Sequence, residues 1–188
     1  MPKELIKPLI IGVILPAAFG LSACATTSDA GTDTAAPVGP TMVRTQLLSA
    51  AGEARGDVVA EATTQGLKLT VNGSGLPAGA HGVHIHTTGR CDAPDFASAG
   101  GHWNPAARQH GTQNPQGPHA GDLPNLLIGT DGRGSFTVDL HGAKLDGNGG
   151  LLDADGAAFV VHAGPDDMMT DPAGNSGGRI ACGVFTAG

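Results

Sequence analysis

Leu67-Lys68-Leu69-Thr70-Val71-Asn72 and Ser135-Phe136-Thr137-Val138-Asp139-Leu140 carry the pattern that sets the fold class. In both, apolar and polar residues alternate one by one. Side chains of a β-strand point to opposite faces with a period of two, so each segment has one face to bury and one for water. Asn72-Gly73 closes the first segment and Asp131-Gly132 precedes the second, and both are turn pairs. Six further runs have strand length: 42–49, 57–63, 80–86, 126–129, 157–162 and 179–185. Asp146-Gly147 and Asp155-Gly156 mark more turns. No segment has a convincing amphipathic helical pattern, and no internal repeat is visible. Eight short antiparallel strands predict an all-β sandwich or flattened barrel.

The composition agrees. The 188 residues include 31 Gly and 13 Pro but one Trp and no Tyr, so the core must rely on Val, Leu, Ile and Ala. The formal net charge of −7 argues against nucleic-acid binding, which needs a basic face to replace counterions. Two stretches, 87–125 and 163–178, break the strand rhythm and are rich in Gly and Pro. Long loops in a compact domain are functional or disordered. The first holds three of the eight histidines, which favours function.

Residues 1–23 read as an export signal. Lys3 and Lys7 give a basic start, and Leu9 to Leu21 is a run of 13 uncharged residues. That is too short to cross a hydrocarbon core of about 30 Å as a helix. The run ends in Leu21-Ser22-Ala23-Cys24, which resembles the bacterial lipoprotein cleavage signal, with Cys24 lipidated. The other reading is an ordinary secretory signal cut after Ala23 or Ala25. Each buried CH₂ of an acyl chain contributes about 0.8 kcal/mol, so several chains would anchor the protein firmly. Export places the three cysteines in an oxidising space. Lipidation of Cys24 leaves Cys91 and Cys182 as the only possible internal disulfide. Residues 24–40 read as a flexible tether, and the folded domain is expected over 41–188.

The histidine spacing carries the chemistry. His84 and His86 lie two apart near a strand end, so both point to one face about 6.8 Å apart. They can close on one metal or be two satisfied surface histidines. His102, His110, His119 and Asp122 follow on a loop. Three imidazoles and a carboxylate are a full tetrahedral zinc set, and metal can order a loop with nothing apolar to bury. A solvated His-rich loop is the alternative. His162 ends the apolar run 157–161, where a core histidine is also plausible. His81 reads as structural and His141 as exposed. Met168-Met169 reads as an apolar patch of the loop, and Trp103 as packing the loop or facing a partner chain.

Five pieces occur together and in order: Gly82-Val83-His84-Ile85-His86, His102-Trp103-Asn104-Pro105, His119-Ala120-Gly121-Asp122-Leu123, Val160-Val161-His162-Ala163-Gly164, and Gly177-Gly178-Arg179-Ile180-Ala181-Cys182-Gly183-Val184. Over roughly 42–188 the chain resembles the exported bacterial branch of the copper–zinc superoxide dismutase family, in lipoprotein form. The resemblance implies an eight-stranded antiparallel Greek-key sandwich with two long functional loops. It implies one copper ion at His84, His86, His102 and His162, and one zinc ion at His102, His110, His119 and Asp122, with His102 shared. It further implies a Cys91–Cys182 disulfide, Arg179 lining the copper channel, and Asp166 linking His84 to His110. His102 and Arg179 would be the catalytic residues. The expected activity is dismutation of superoxide to dioxygen and hydrogen peroxide.

The expected location is the periplasm-facing cell envelope, anchored by the lipid at Cys24, with the outer membrane as the expected membrane. Relatives are monomers or homodimers. A copper- or zinc-sequestering lipoprotein on the same fold is the alternative function. An acidic protein must draw in an anion through a local positive field. The 163–178 loop has Asp166, Asp167 and Asp171 and no Lys or Arg, so Arg179 is the expected attractor, with Arg90 and Arg108 as further candidates. Asp167 and Asp171 are expected to face solvent.

Overall fold

The computed structural model describes residues 41–186. The leader, Cys24 and the tether lie outside the described residues. Nine strands are present: β1 Met42–Leu48, β2 Ala54–Thr63, β3 Gly66–Ser74, β4 Gly79–His81, β5 Val83–His86, β6 Leu126–Ile128, β7 Arg133–His141, β8 Ala158–His162 and β9 Arg179–Val184. The one helical element described is a short 3₁₀ turn, Ala97–Ala99. Among the described residues no helix is long and apolar enough to cross a membrane.

Seven strands form one antiparallel sheet in the order β5-β8-β9-β1-β2-β3-β7, and β4 pairs with β6. The neighbours β3–β7 and β9–β1 are distant in sequence, as a Greek-key arrangement requires. The two alternating segments pair directly with each other. Leu67, Leu69 and Val71 of β3 lie opposite Leu140, Val138 and Phe136 of β7. On the other face Lys68 lies opposite Asp139, Thr70 opposite Thr137 and Asn72 opposite Ser135. The apolar set joins Val58, Val83, Ile85, Leu126 and Phe159 in the main core. Phe136, Val138 and Leu140 are only partly buried, because β7 is an end strand of the sheet.

The structure corrects the expected strand over 80–86. It is two strands, β4 and β5, separated at Gly82 and paired with different partners. Gly82 gives its N–H to Gly164 and accepts one from His162, both at 2.8 Å. A Cβ at Gly82 would lie 2.7 Å from the Cβ of Ser176 and 3.2 Å from that of Asp166. The bare backbone lets the 163–178 loop reach the strand, and the break divides one expected strand into two.

β8 is buried along its whole length. Phe159 and Val161 face the main core, while Ala158 and Val160 pack with Phe96, Ala99 and Cys182 in a second cluster. The strand therefore has no polar face, which explains its unbroken apolar run. The second cluster lies under the 91–99 segment, which the Cys91–Cys182 disulfide joins to β9. Closing a loop of 91 residues stabilises a fold by about 4–5 kcal/mol in the chain-entropy model.

Candidate metal centre

β5 ends the large sheet, and an end strand has unpaired backbone groups along its outer edge. The first long loop covers that edge. Trp103 donates its N–H to the Ile85 carbonyl at 2.8 Å, and Ile85 donates to Gly121 at 3.0 Å. His86 thereby pairs with His102, and His84 with Asp122, across single bridges. Trp103 is buried in the main core, so the loop does have apolar surface to bury, against expectation, and the ring packs inward. His162 arrives from β8, the strand next to β5.

Four ring nitrogens converge: His84 Nδ1, His86 Nε2, His102 Nε2 and His162 Nε2. All are buried without a hydrogen-bond partner, and the four residues offer ligand atoms within 4.8 Å of one another. The opposite nitrogen of each ring is committed. His86 Nδ1 donates to the Gly100 carbonyl at 2.9 Å, and His162 Nδ1 to the Gly177 carbonyl at 3.0 Å. His84 Nε2 donates to Asp166 Oδ2 at 2.6 Å, and His102 Nδ1 lies 2.9 Å from Asp122 Oδ1. Carbonyls and carboxylates only accept, so the bonds of His84, His86 and His162 fix their tautomers and turn a lone pair inward from each neutral ring, while His102 Nδ1 faces Asp122 in a second group. A buried unpaired polar atom costs about 1–3 kcal/mol. Four lone pairs facing one point require a cation, and an all-imidazole set suits copper.

A second group lies behind His102. Asp122 Oδ1 is 2.9 Å from His102 Nδ1, 3.0 Å from His110 Nδ1 and 3.2 Å from His119 Nδ1, and the last is 3.4 Å from His102 Nδ1. Ligands bound at about 2.0–2.1 Å around a tetrahedral zinc are separated by about 3.3 Å. These four separations are close to that spacing, while the second set whose ligand atoms all lie within 4.8 Å of one another is His84, His102, His110 and Asp122. His84 is also close, its ring stacked on His102 at 3.9 Å between centroids, but its Nε2 is held by Asp166 and its Nδ1 belongs to the first group. Asp122 Oδ2 accepts the N–H groups of Gly111 and His119, which fixes the carboxylate.

Asp166 lies between the two groups, with Oδ2 to His84 Nε2 and Oδ1 to His110 Nε2 at 3.0 Å. Arg179 donates from Nη1 to the Phe96 carbonyl at 2.6 Å and from Nη2 to the Gly100 carbonyl at 2.7 Å. Gly100 thus accepts from both Arg179 and His86.

The family model described as copper/zinc superoxide dismutase (SODC) matches residues 54–185. The chain belongs to the copper/zinc superoxide dismutase family. A Cu-Zn superoxide dismutase of Deinococcus radiodurans is 38% identical over 196 residues, 96% of this chain and 98% of the relative. Cu-Zn superoxide dismutase 1 of Aquifex aeolicus is 46% identical over 138 residues, 71% of this chain and 80% of the relative. The crystal structure of a double mutant of a superoxide-dismutase-like protein from Bacillus subtilis is similar with a TM-score of 0.73 at 40% identity. That match covers 79% of this chain and all of the other. As a superoxide dismutase the chain is an oxidoreductase acting on superoxide, and its two histidine groups fit copper and zinc.

Burial lowers His84 and His162 to about 4 and His86 to about 2 in the metal-free protein. Hydrogen bonds to the Gly100 and Gly177 carbonyls oppose this for His86 and His162, and the charge of Arg179 adds a smaller depression. His110 behaves oppositely. Burial pushes it down, but hydrogen bonds to Asp122 and Asp166 outweigh this and raise it to about 9.

The sign of the pH dependence follows. For His84, His86 and His162 the unfolded chain binds protons that the folded chain refuses. Their contribution is full above about 6.5 and is lost as pH falls toward 4. The His110 contribution is full below about 6.5 and is lost as pH rises through about 9. Urea midpoints of the metal-free chain are therefore expected to peak near neutrality and to fall more steeply on the acid side. A flat profile from pH 7 to 4.5 contradicts this.

Several contributors were not legible beforehand. The carbonyls of Gly100 and Gly177 orient histidines. Asn125 holds the Asp166 backbone at both N–H and carbonyl, at 2.8 and 2.9 Å. His81 is buried and structural, with Nδ1 2.7 Å from the His162 carbonyl and Nε2 2.8 Å from that of Pro77. His141 is exposed, as expected. Arg90 is ion-paired with Asp92. Asp171 is exposed, as expected, and also accepts the His110 N–H at 2.6 Å.

Proposed function

We propose that this superoxide dismutase binds one copper ion at His84, His86, His102 and His162 and one zinc ion at His102, His110, His119 and Asp122. The four unpartnered ring nitrogens support this most directly. Bound copper supplies the one-electron chemistry that oxidises one superoxide to dioxygen and reduces a second to peroxide, and zinc has no second accessible oxidation state. The chain supplies the rest. Arg179 has five N–H donors, and two serve the Phe96 and Gly100 carbonyls, leaving three for an anion. Peroxide leaves with two protons, and His102 Nε2 is the ring atom placed to hold and deliver one.

The setting we propose is the cell envelope, facing the periplasm, with a lipid on Cys24 as anchor and the outer membrane as its site. The leader pattern and a disulfide suited to an oxidising compartment support it. The proposed role is protection of the envelope from superoxide.

The test is to load the purified chain with copper and zinc and follow superoxide decay. Catalytic decay is expected. Tight copper binding without turnover would point instead to a sequestering lipoprotein on this fold, and no metal binding would remove both readings. Intact mass of the mature chain tests the anchor, and a mature N-terminus that is not an acylated Cys24 overturns it.

A further inference from the structure

The histidines of the two groups give their outer nitrogens to oxygen acceptors. His84 and His110 use Asp166, and His86 and His162 use carbonyls. Among the described residues His119 Nε2 has no hydrogen-bond partner. It faces Asp171 Oδ1 at 3.9 Å, beyond hydrogen-bond length but within reach of charge attraction. The same oxygen accepts the backbone N–H of His110 at 2.6 Å. One carboxylate oxygen therefore addresses both histidines that belong to the zinc side alone.

Asp171 comes from the 163–178 loop, whereas His110 and His119 come from the loop that covers β5. The two loops also meet where Gln113 donates its N–H to the Met168 carbonyl at 2.9 Å. Asp166 of the same loop is buried, whereas Asp167 is exposed, as expected, and bonds within the loop. Asp167 Oδ1 accepts the N–H groups of Met169 and Thr170, and its Oδ2 accepts from Asn175. These carboxylates hold the loop's backbone, and Asp167 and Asp171 do so while exposed. The Asp171 side chain is 49% exposed and that of His119 only 8%, which places the carboxylate between the ring and water.

We infer that Asp171 is a positioning residue for the zinc side, clamping the 163–178 loop to the His110 backbone and setting the His119 ring. The inference rests on the zinc assignment proposed above. An imidazole that gives its inner lone pair to a dication carries more positive charge on its outer N–H, and a facing carboxylate strengthens it as a ligand. Asp166 does this for His110 through a direct bond. Asp171 does it for His119 across a short space, while its bond to His110 holds it in place.

The test uses the full chain, metal-free, titrated with zinc against a chromophoric chelator and separately with copper. Asp171→Ala is expected to weaken zinc binding by about 10–100-fold while copper affinity stays within about two-fold. Asp171→Asn keeps an oxygen for the His110 N–H and removes the charge, so it is expected to fall between Ala and the parent. If Asp171→Ala does not fold, Asp171→Asn carries the same zinc-against-copper comparison. Unchanged zinc affinity overturns the inference. So does an equal loss of zinc and copper affinity with a lower urea midpoint, which marks a general structural role. A parent chain that binds no zinc would instead overturn the zinc assignment itself.

Discussion

His162→Ala is expected to abolish superoxide consumption by the copper- and zinc-loaded chain while leaving most of its zinc bound. His162 Nε2 is one of four buried ring nitrogens without a partner, and its ring is held by one bond from Nδ1 to the Gly177 carbonyl. Alanine removes a quarter of the donor set from the redox site. The zinc side loses nothing directly, because Asp122 still gathers His102, His110 and His119 within 2.9–3.2 Å. Enzymes carry accelerations of 10⁶-fold and more, and here a single metal supplies the electron transfer, so a loss on the order of 10³-fold or greater is expected. Rapid superoxide-decay kinetics and elemental analysis of the same sample check both halves. Activity near that of the parent would remove His162 from the site.

Gly174→Ala is expected to be the most destabilising of the loop substitutions. Gly174 has φ +62°, and a Cβ there would lie 1.8 Å from Asp166 Oδ1 and 2.6 Å from His110 Nε2. The added carbon would occupy the space of the bond between those two groups. Asp166 lies below the usual carboxylate range. Burial opposes this, but hydrogen bonds from His110 and His84 outweigh it. Separating such a buried pair costs about 3–5 kcal/mol, and the backbone conformation adds about 1 kcal/mol for alanine. Gly142 offers an internal control, since it has φ +73° and nothing within 4 Å of its would-be Cβ. Gly142→Ala is expected to lose only the conformational part, about 1 kcal/mol. Urea unfolding of the two metal-free variants checks the contrast, and equal losses would mean that the close approach carries no energy.

The strands were legible because alternation reports which side of a strand meets the core. Leu69 and Val138 are apolar for the same reason, and they meet across a ladder. The break at Gly82 was not legible. No turn pair marks it within residues 80–86, and the 163–178 loop meets the backbone there at Gly82. The histidine groups were legible because metal ligands are side chains with few substitutes. Their orientation was not, since it depends on the carbonyls of Gly100 and Gly177, and a carbonyl is common to every residue. Asp171 is exposed, as expected, but its bond to the His110 N–H was not legible, because a carboxylate in a polar loop has the same letter whether it meets water alone or also a neighbouring loop. The leader, the tether and Cys24 were read from sequence and lie outside the described residues.

Gly100 offers its oxygen to both Arg179 Nη2 and His86 Nδ1, at 2.7 and 2.9 Å. Two parts positioned from separate references accumulate the errors of both. Here the guanidinium and the imidazole share one datum. A shift of the 96–100 turn would carry both together, so their spacing is a tighter tolerance than the position of either.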